Sequence, residues 1–454
     1  MARTPPSLNP FPIIQIMVNP TGVPVDFTIQ KFHGKQELDQ RCRVRKLDYI
    51  HIIQTFFNCC WIFFFVPFRI IHNGKEYQIH FDGLHQLICP ILHILTIINA
   101  FLDIHGAFEA PIQYEPATAF LVAERVAAAL SPVVFFFKVW FKREHILALL
   151  ETMHNGKRLL VSAKSFHLPV LTLFMLRISL SLLYTVSRYV DLSALQLRPN
   201  IMDEVATETM FKFYQIPMYG KNLMSFEDML PFQKIFVATH ILLKFYYSLL
   251  LDTIALLTLM SAIVTYNITS EFHDMLQTPA VENGDIKQGS WIPRKLLVMQ
   301  RYYETKQKLS ALNKMVESIV LVVFCSLVAF FSGIGISAVM IYGSYSYICQ
   351  LSVYIATYIV TLVLAAESNH KTNMFKEWLL LQGRGETVQD IFEYLRVSND
   401  QLGINGGRFF VVSYGFLGTA LSVLLTYSII MIDFERITIF PGQNITGQVP
   451  NIFL

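Results

Sequence analysis

Charge is scarce in this chain. Asp, Glu, Lys and Arg make up 15% of its 454 residues, against 53% hydrophobic residues that include 37 Phe. A soluble protein of this length needs a far more charged surface, so an aqueous globular fold is excluded. The net charge of +3 is too small to argue for a nucleic-acid partner. A Gly-rich phosphate loop, an HExxH helix and a GxSxG elbow are also missing, which leaves no signature of an enzyme. The six cysteines, Cys42, Cys59, Cys60, Cys89, Cys325 and Cys349, form no CxxC or Cys/His pattern. Most lie in or beside apolar runs, where a thiol packs as a small hydrophobe rather than building a metal site or a disulfide framework. His85, His93 and His105 share no metal-binding spacing, and no cofactor or chromophore site is expected. The first residues, with Pro5, Pro6, Pro10 and Pro12, show no basic region followed by an apolar core, so no cleaved signal peptide is expected.

Long apolar runs are what the chain has in place of charge. Runs at 86–105, 117–140, 168–190, 234–264, 314–342, 346–366 and 409–432 each approach or exceed the roughly 20 residues that cross a hydrocarbon layer. The fold class that follows is all-α, a multi-pass membrane protein with lipid as its first partner. Lys and Arg stay on the cytoplasmic side of short connections. They collect in the connections 142–167 (Lys142, Arg143, Lys157), 267–313 (Lys287, Arg294, Lys306) and 367–408 (Lys371, Arg396, Arg408). The connection 106–116 has no cation, and 193–233 is rich in Asp and Glu. The first three therefore face inward and the others outward.

An apolar block at 49–71 follows an arm carrying Lys31, Lys35, Arg41, Arg43, Arg45 and Lys46. If that block crossed as well, those cations would lie outside. It is expected to be an interfacial or half-inserted helix broken at Pro67, leaving seven crossings, an inward N-terminus and an outward C-terminus. Helical periodicity continues in the inward connections, at His145 to Met153, Lys295 to Leu312 and Asn373 to Leu395, so several spans should project below the membrane and pack there. Trp61, Trp140, Trp291 and Trp378 fall at or near span ends or on these inner helices, as anchors do. Asn444 heads an Asn-Ile-Thr acceptor for glycosylation on the outer side, whereas Asn267 falls inside and should stay bare.

Ionisable residues within spans are costly unless they meet a partner or a cavity, about 2.5 to 3.5 kcal/mol each near the centre by insertion scales. Glu124, Arg125, Arg177, Arg188, Lys244 and Asp252 are of this kind, with Tyr184, His240, Tyr246 and Tyr247 nearby. They admit two readings: internal pairs that fix helix register, or a polar ligand pocket between the second, third and fourth crossings.

The last run carries Ser413, Tyr414, Ser422, Thr426 and Tyr427 and closes on Asp433, unusual for a helix surrounded by lipid. Thr426-Tyr427, five mainly apolar residues, then Asp433-Phe434 resembles the C-terminal signature of the invertebrate gustatory receptor family, with Asp where the family has Gln. Gly403-Ile404-Asn405-Gly406-Gly407-Arg408-Phe409-Phe410, and Leu309-Ser310-Ala311-Leu312-Asn313 at the start of the fifth crossing, are similar to that family too. The resemblance implies a ligand-gated cation channel in the plasma membrane of sensory cells. It would be a homotetramer, or a heterotetramer with related receptors, opened by a small-molecule ligand held in the outer half of the bundle. One branch of the family is associated with light and peroxide sensing.

By motif position, Ile430 and Phe434 would form the gate and Asp433 the polar position of the pore, where four carboxylates would attract permeating cations. The organisation that follows is a cytoplasmic arm (1–48), an interfacial segment (49–85), a six-helix bundle with inner extensions (86–366), a cytoplasmic anchor helix (367–408), a pore-lining helix (409–432) and an outer tail (433–454). A G-protein-coupled receptor would require the opposite orientation. A secondary transporter would show internal repeats and paired broken helices, of which only one break, near Gly406, is evident.

Overall fold

The computed structural model describes residues 49–73, 76–109, 116–155, 167–191, 196–197, 201–214, 225–277, 294–333, 345–382, 396–397 and 402–439. Helices dominate them: α1 (Tyr49–Ile62), α2 (Gly83–Glu109), α3 (Pro116–Phe141), α4 (Arg143–Asn155), α5 (His167–Tyr189), α6 (Ile201–Tyr214), α7 (Pro231–Gln277), α8 (Arg294–Gly333), α9 (Tyr345–Gln382) and α10 (Tyr414–Ile439). Three two-stranded antiparallel ribbons interrupt them: β1 (Phe68–His72) with β2 (Tyr77–Phe81), β3 (Val190–Asp191) with β4 (Gln196–Leu197), and β5 (Asn405–Gly406) with β6 (Phe410–Val411). The protein is all-α and of the multi-pass membrane class. Among the described residues, Gly83–Leu102, Pro231–Gln277, Val298–Phe330 and Ser352–Leu379 are long and apolar enough to cross a bilayer. Ile50–Ile62, Phe174–Leu183 and Tyr414–Tyr427 are shorter apolar helices.

Length separates α7, α8 and α9 from the rest. They hold 47, 40 and 38 residues, or about 70, 60 and 57 Å at ~1.5 Å per residue. A hydrocarbon core is only about 30 Å thick, so much of each helix stands outside it. The periodic segment Lys295 to Leu312 is continuous with the run at 314, as one helix. Asn373 to Leu395 begins as the end of α9, and 383–395 lies outside the described residues. The projecting parts are held by aromatic packing. Tyr302 of α8 stacks on Phe375 of α9 at 4.5 Å, and Phe272 of α7 meets Phe375 edge-on at 5.2 Å. Lys371 donates to the Ser270 hydroxyl at 2.7 Å with its ammonium 4.1 Å from the Tyr266 ring centroid. Above this layer α3 runs along α8 and α9 along α7.

Local sequence explains where helices start. Pro231 opens α7 at the position where a missing N–H costs nothing, and the Gln233 side chain accepts the Leu230 N–H at 2.9 Å. Ser413 caps α10 by accepting the Phe416 N–H at 3.2 Å. The last helix therefore begins five residues after Phe409, because Phe410 and Val411 are used in the ribbon with Asn405 and Gly406.

The block 49–71 is not one helix broken at Pro67. The helix ends at Ile62, and Phe64 takes a left-handed φ of 58°, uncommon for a bulky residue. Its carbonyl accepts the Tyr246 hydroxyl at 2.9 Å, which holds that turn. Its ring stacks at 4.3 Å on His85, whose other face meets Trp61 at 4.4 Å. The chain then turns into the β1–β2 hairpin, where Asn58 of α1 accepts the Ile70 N–H at 2.8 Å and donates to the Ile70 carbonyl at 3.2 Å. Protein covers most of α1: Ile50, Ile52, Phe56, Phe57 and Cys60 are buried against α4, α5, α7 and β1. Cys59 and Cys60 are free and buried. Burial pushes the Cys59 thiol up to about 11, so it is protonated and unreactive near neutral pH.

Candidate functional site

Two of the sequence segments that carried the family resemblance meet in space. Asn313 of α8 donates its side-chain N–H to the Gly403 carbonyl at 2.7 Å, and its carbonyl oxygen accepts the Asn405 N–H at 3.3 Å. One amide thus pins the entry and the first residue of β5, in the ribbon that leads into α10. Gly407 has a left-handed φ of 62°, the conformation for which glycine carries no penalty. Gly406 is required for a different reason. A Cβ there would lie 2.1 Å from the Phe410 ring. That ring stacks on Phe416 of α10 at 4.5 Å, and both meet Phe324 of α8, at 5.0 and 4.9 Å. Tyr414 donates to the Glu367 carboxylate of α9 at 2.5 Å. The start of α10 is therefore tied to α8 and α9 at once.

Beyond that attachment most of the described side chains of α10 are exposed. Ala420 is buried and Phe416, Leu417 and Leu424 are half-buried on the face toward the bundle. The opposite face holds Gly415, Thr419, Ser422 and Thr426, spaced four, three and four residues apart and all exposed, so they form one stripe. Thr419 donates to the Gly415 carbonyl at 3.0 Å and Thr426 to the Ser422 carbonyl at 2.8 Å. Their protons are used within the helix, which leaves oxygen lone pairs outward. Ile430 and Asp433 continue the stripe by spacing; Ile430 is exposed, whereas the side chains of Asp433 and Phe434 lie outside the described residues. An apolar exposed row, Leu421, Leu425 and Ile429, lies beside it, and Tyr427 is exposed as well.

Within the bundle, Arg177 of α5 and Asp252 of α7 find each other. Nε donates to Oδ1 at 2.9 Å and Nη2 lies 2.6 Å from the same oxygen, with both residues buried. The guanidinium carbon sits 5.7 Å from the Tyr354 ring centroid of α9, so the pair joins three helices. About three turns toward the start of α7, buried His240 donates Nδ1–H to the buried Asn99 side chain of α2 at 2.8 Å. Ser181 and Ser248 join α5 and α7 at 3.1 Å. Lys244 and Tyr247 are half-buried on α7, one and two turns beyond His240. Arg125 is exposed on α3. The side chains of Glu124, Tyr184 and Arg188, and all of Asn444, lie outside the described residues.

Sequence reasoning singled out both ionised members of the central pair but left their partnership open. It missed Asn99, Asn313, Phe324 and Glu367. Only Asn313 carried a usable signal, as the last residue of a quoted segment. The others are ordinary polar or aromatic residues whose roles come from what stands opposite them.

No protein-family model matches the chain, and no curated protein matches it. Among solved structures it is similar to the insect olfactory receptor OR5 from Machilis hrabei. The structure of that receptor in complex with eugenol superposes over 86% of this chain and 100% of its own, with a TM-score of 0.48 at 11% identity. A second structure of the same receptor does so over 88% and 99%, with a TM-score of 0.46 at 12% identity.

Proposed function

We propose that the protein is a ligand-gated, non-selective cation channel of the gustatory receptor type, a chemoreceptor in the plasma membrane of sensory cells with seven crossings and an outward C-terminus. The observation that carries this reading is the exposed stripe Gly415–Thr419–Ser422–Thr426, opposite the face by which α10 packs. A hydroxyl row pointed at lipid gains nothing, whereas the same row around a shared axis lines a water-filled path with oxygen lone pairs. Four copies, identical or with related receptors, would close that path. Ile430 and Phe434, four residues apart, would stack as apolar rings that shed water when closed, and Asp433 would add a ring of carboxylates at the outer mouth.

The ligand, a small molecule, is placed in the outer half of the bundle near His240, Lys244 and Tyr247, with Tyr184, Arg188, Glu124 and Arg125 as further candidates. Arg177 and Asp252 form its floor. Helix shifts there would reach α10 through the Asn313 amide and the Tyr414–Glu367 contact. Ligand must bind the open arrangement better than the closed one, since equal affinity shifts nothing.

The test is expression of the chain alone in cells, with current recorded during application of sugars, bitter compounds, peroxide and light, together with antibody access to a C-terminal epitope in intact cells. A ligand-evoked cation current with an accessible epitope is the expected result. An epitope reached only after permeabilisation, or a response that requires G-protein signalling, overturns the reading.

A further inference from the structure

A cleft of about 610 Å³ opens between α4 and α8, and its lining includes neither the polar residues named in the bundle nor any residue of α10. Two helix faces make it. On α4 the lining residues His145, Ala148 and Thr152 are three and four apart; on α8, Lys306, Ser310 and Lys314 are four apart, with Gln307 beside them. Ala148 and Ala311 leave the space open, since larger side chains there would fill it. Much of the wall is apolar, from Ala148, Ala311 and Tyr303, its charged side chains are Lys306 and Lys314, and among the described residues no carboxylate lines the cleft. The acids of these helices are elsewhere: Glu304 is paired with Arg301 at 2.8 Å, Glu317 acts on Lys138, and Glu144 and Glu151 do not reach the lining. Among the described residues the side chains of Gln307, Ser310 and Lys314 make no hydrogen bond or ion pair, and His145 Nδ1 is buried without a hydrogen-bond partner.

Position gives the cleft its meaning. The Lys138 ammonium donates to the Lys314 carbonyl at 2.7 Å, which sets Lys314 level with the last turn of α3. There Phe137 and Phe141 are exposed beside the half-buried Trp140. An aromatic band followed at once by Lys142 and Arg143 marks the edge of the apolar layer. The cleft thus lies at the membrane boundary, on the side where the loop cations gather, and basic pockets between helices at that level hold phosphorylated headgroups.

We infer that the α4–α8 cleft binds a phosphate-bearing anion, with Lys306 and Lys314 holding the phosphate and Ser310 and Gln307 donating to its oxygens. The source is either an inositol lipid headgroup of the adjoining leaflet or a soluble inositol phosphate. In both, each lysine contributes a charge-assisted contact, worth about tenfold in affinity.

The test uses the full-length protein purified in detergent, where both faces are accessible. Its readout is binding, so its result is independent of whether the chain passes current. The probes are vesicles of phosphatidylcholine, the same vesicles with added phosphatidylinositol bisphosphate, and free inositol trisphosphate. The intact protein should prefer the phosphoinositide vesicles or bind the free phosphate. Binding should weaken about a hundredfold in Lys306→Gln/Lys314→Gln, survive in Lys306→Arg/Lys314→Arg, and stay unchanged in Lys308→Gln, which is outside the lining. Vesicle binding that inositol trisphosphate does not displace assigns the site to the lipid; binding of inositol trisphosphate without vesicle preference assigns it to the soluble anion. No preference over phosphatidylcholine together with no binding of inositol trisphosphate overturns the proposal, as does an equal loss in Lys308→Gln.

Discussion

At the scale of single residues, the Arg177–Asp252 pair shows how a charge survives inside an apolar bundle. Taking two ions out of water costs more than their attraction returns unless the geometry is close, and here one oxygen accepts the Nε–H with Nη2 2.6 Å away, while the cation lies near an aromatic ring. Removing one partner leaves the other charge buried alone. Asp252→Asn is expected to destabilise the protein by about 3 to 5 kcal/mol, seen as a lower thermal midpoint in detergent and reduced delivery to the cell surface. Arg177→Met/Asp252→Leu should recover most of that stability, because apolar residues of similar volume need no partner. A double variant as unstable as Asp252→Asn would show that the pair does more than neutralise itself.

At the scale of elements, the attachment of α10 is the part most sensitive to a small change. The ribbon Asn405–Gly406 with Phe410–Val411 is pinned by one side-chain amide and packed through three phenylalanine rings. Gly406 faces the Phe410 ring so closely that even a methyl group displaces it. Gly406→Ala should therefore cost about 1 to 3 kcal/mol and loosen the hold of α8 and α9 on α10. Thermal unfolding and surface expression measure the first effect, and ligand-evoked current relative to surface protein measures the second. Gly406→Ala/Phe410→Ala, which makes room, should regain part of the stability but not the coupling, since the stack on Phe324 and Phe416 is lost.

At the scale of the whole molecule, the described residues of α10 are exposed on several faces, and α7, α8 and α9 are longer than a hydrocarbon layer is thick. In a four-subunit ring Asp433 would recur four times around one axis, where the family pattern has a neutral amide. Asp433→Asn is then expected to reduce cation preference and divalent permeation, read as a shift of reversal potential under asymmetric salt and as weaker block by divalent ions. An unchanged reversal potential and unchanged block would remove this residue from the pore wall.

Apolar patterning alone was enough for the membrane class, the helical class and the position of most of the long apolar helices, because a run of apolar residues answers to lipid before it answers to any neighbour. The runs at 86–105, 117–140 and 234–264 lie within α2, α3 and α7, 346–366 lies within α9, and 168–190 matches α5 except for its last residue, Val190, which opens β3. That the helices continue through Lys295 to Leu312 and past Asn373 was legible too, since an amphipathic period persists wherever a helix packs on one side. Tertiary structure decided what depends on who stands opposite: that Arg177 belongs to Asp252, that Asn313 holds the ribbon before α10, and that Tyr246 and His85 turn Phe64 into a hairpin where a broken helix was expected. Such contacts join positions from 21 to 182 residues apart. Local pattern reports only the few residues along one turn, so partners at that range become visible only when the helices are packed.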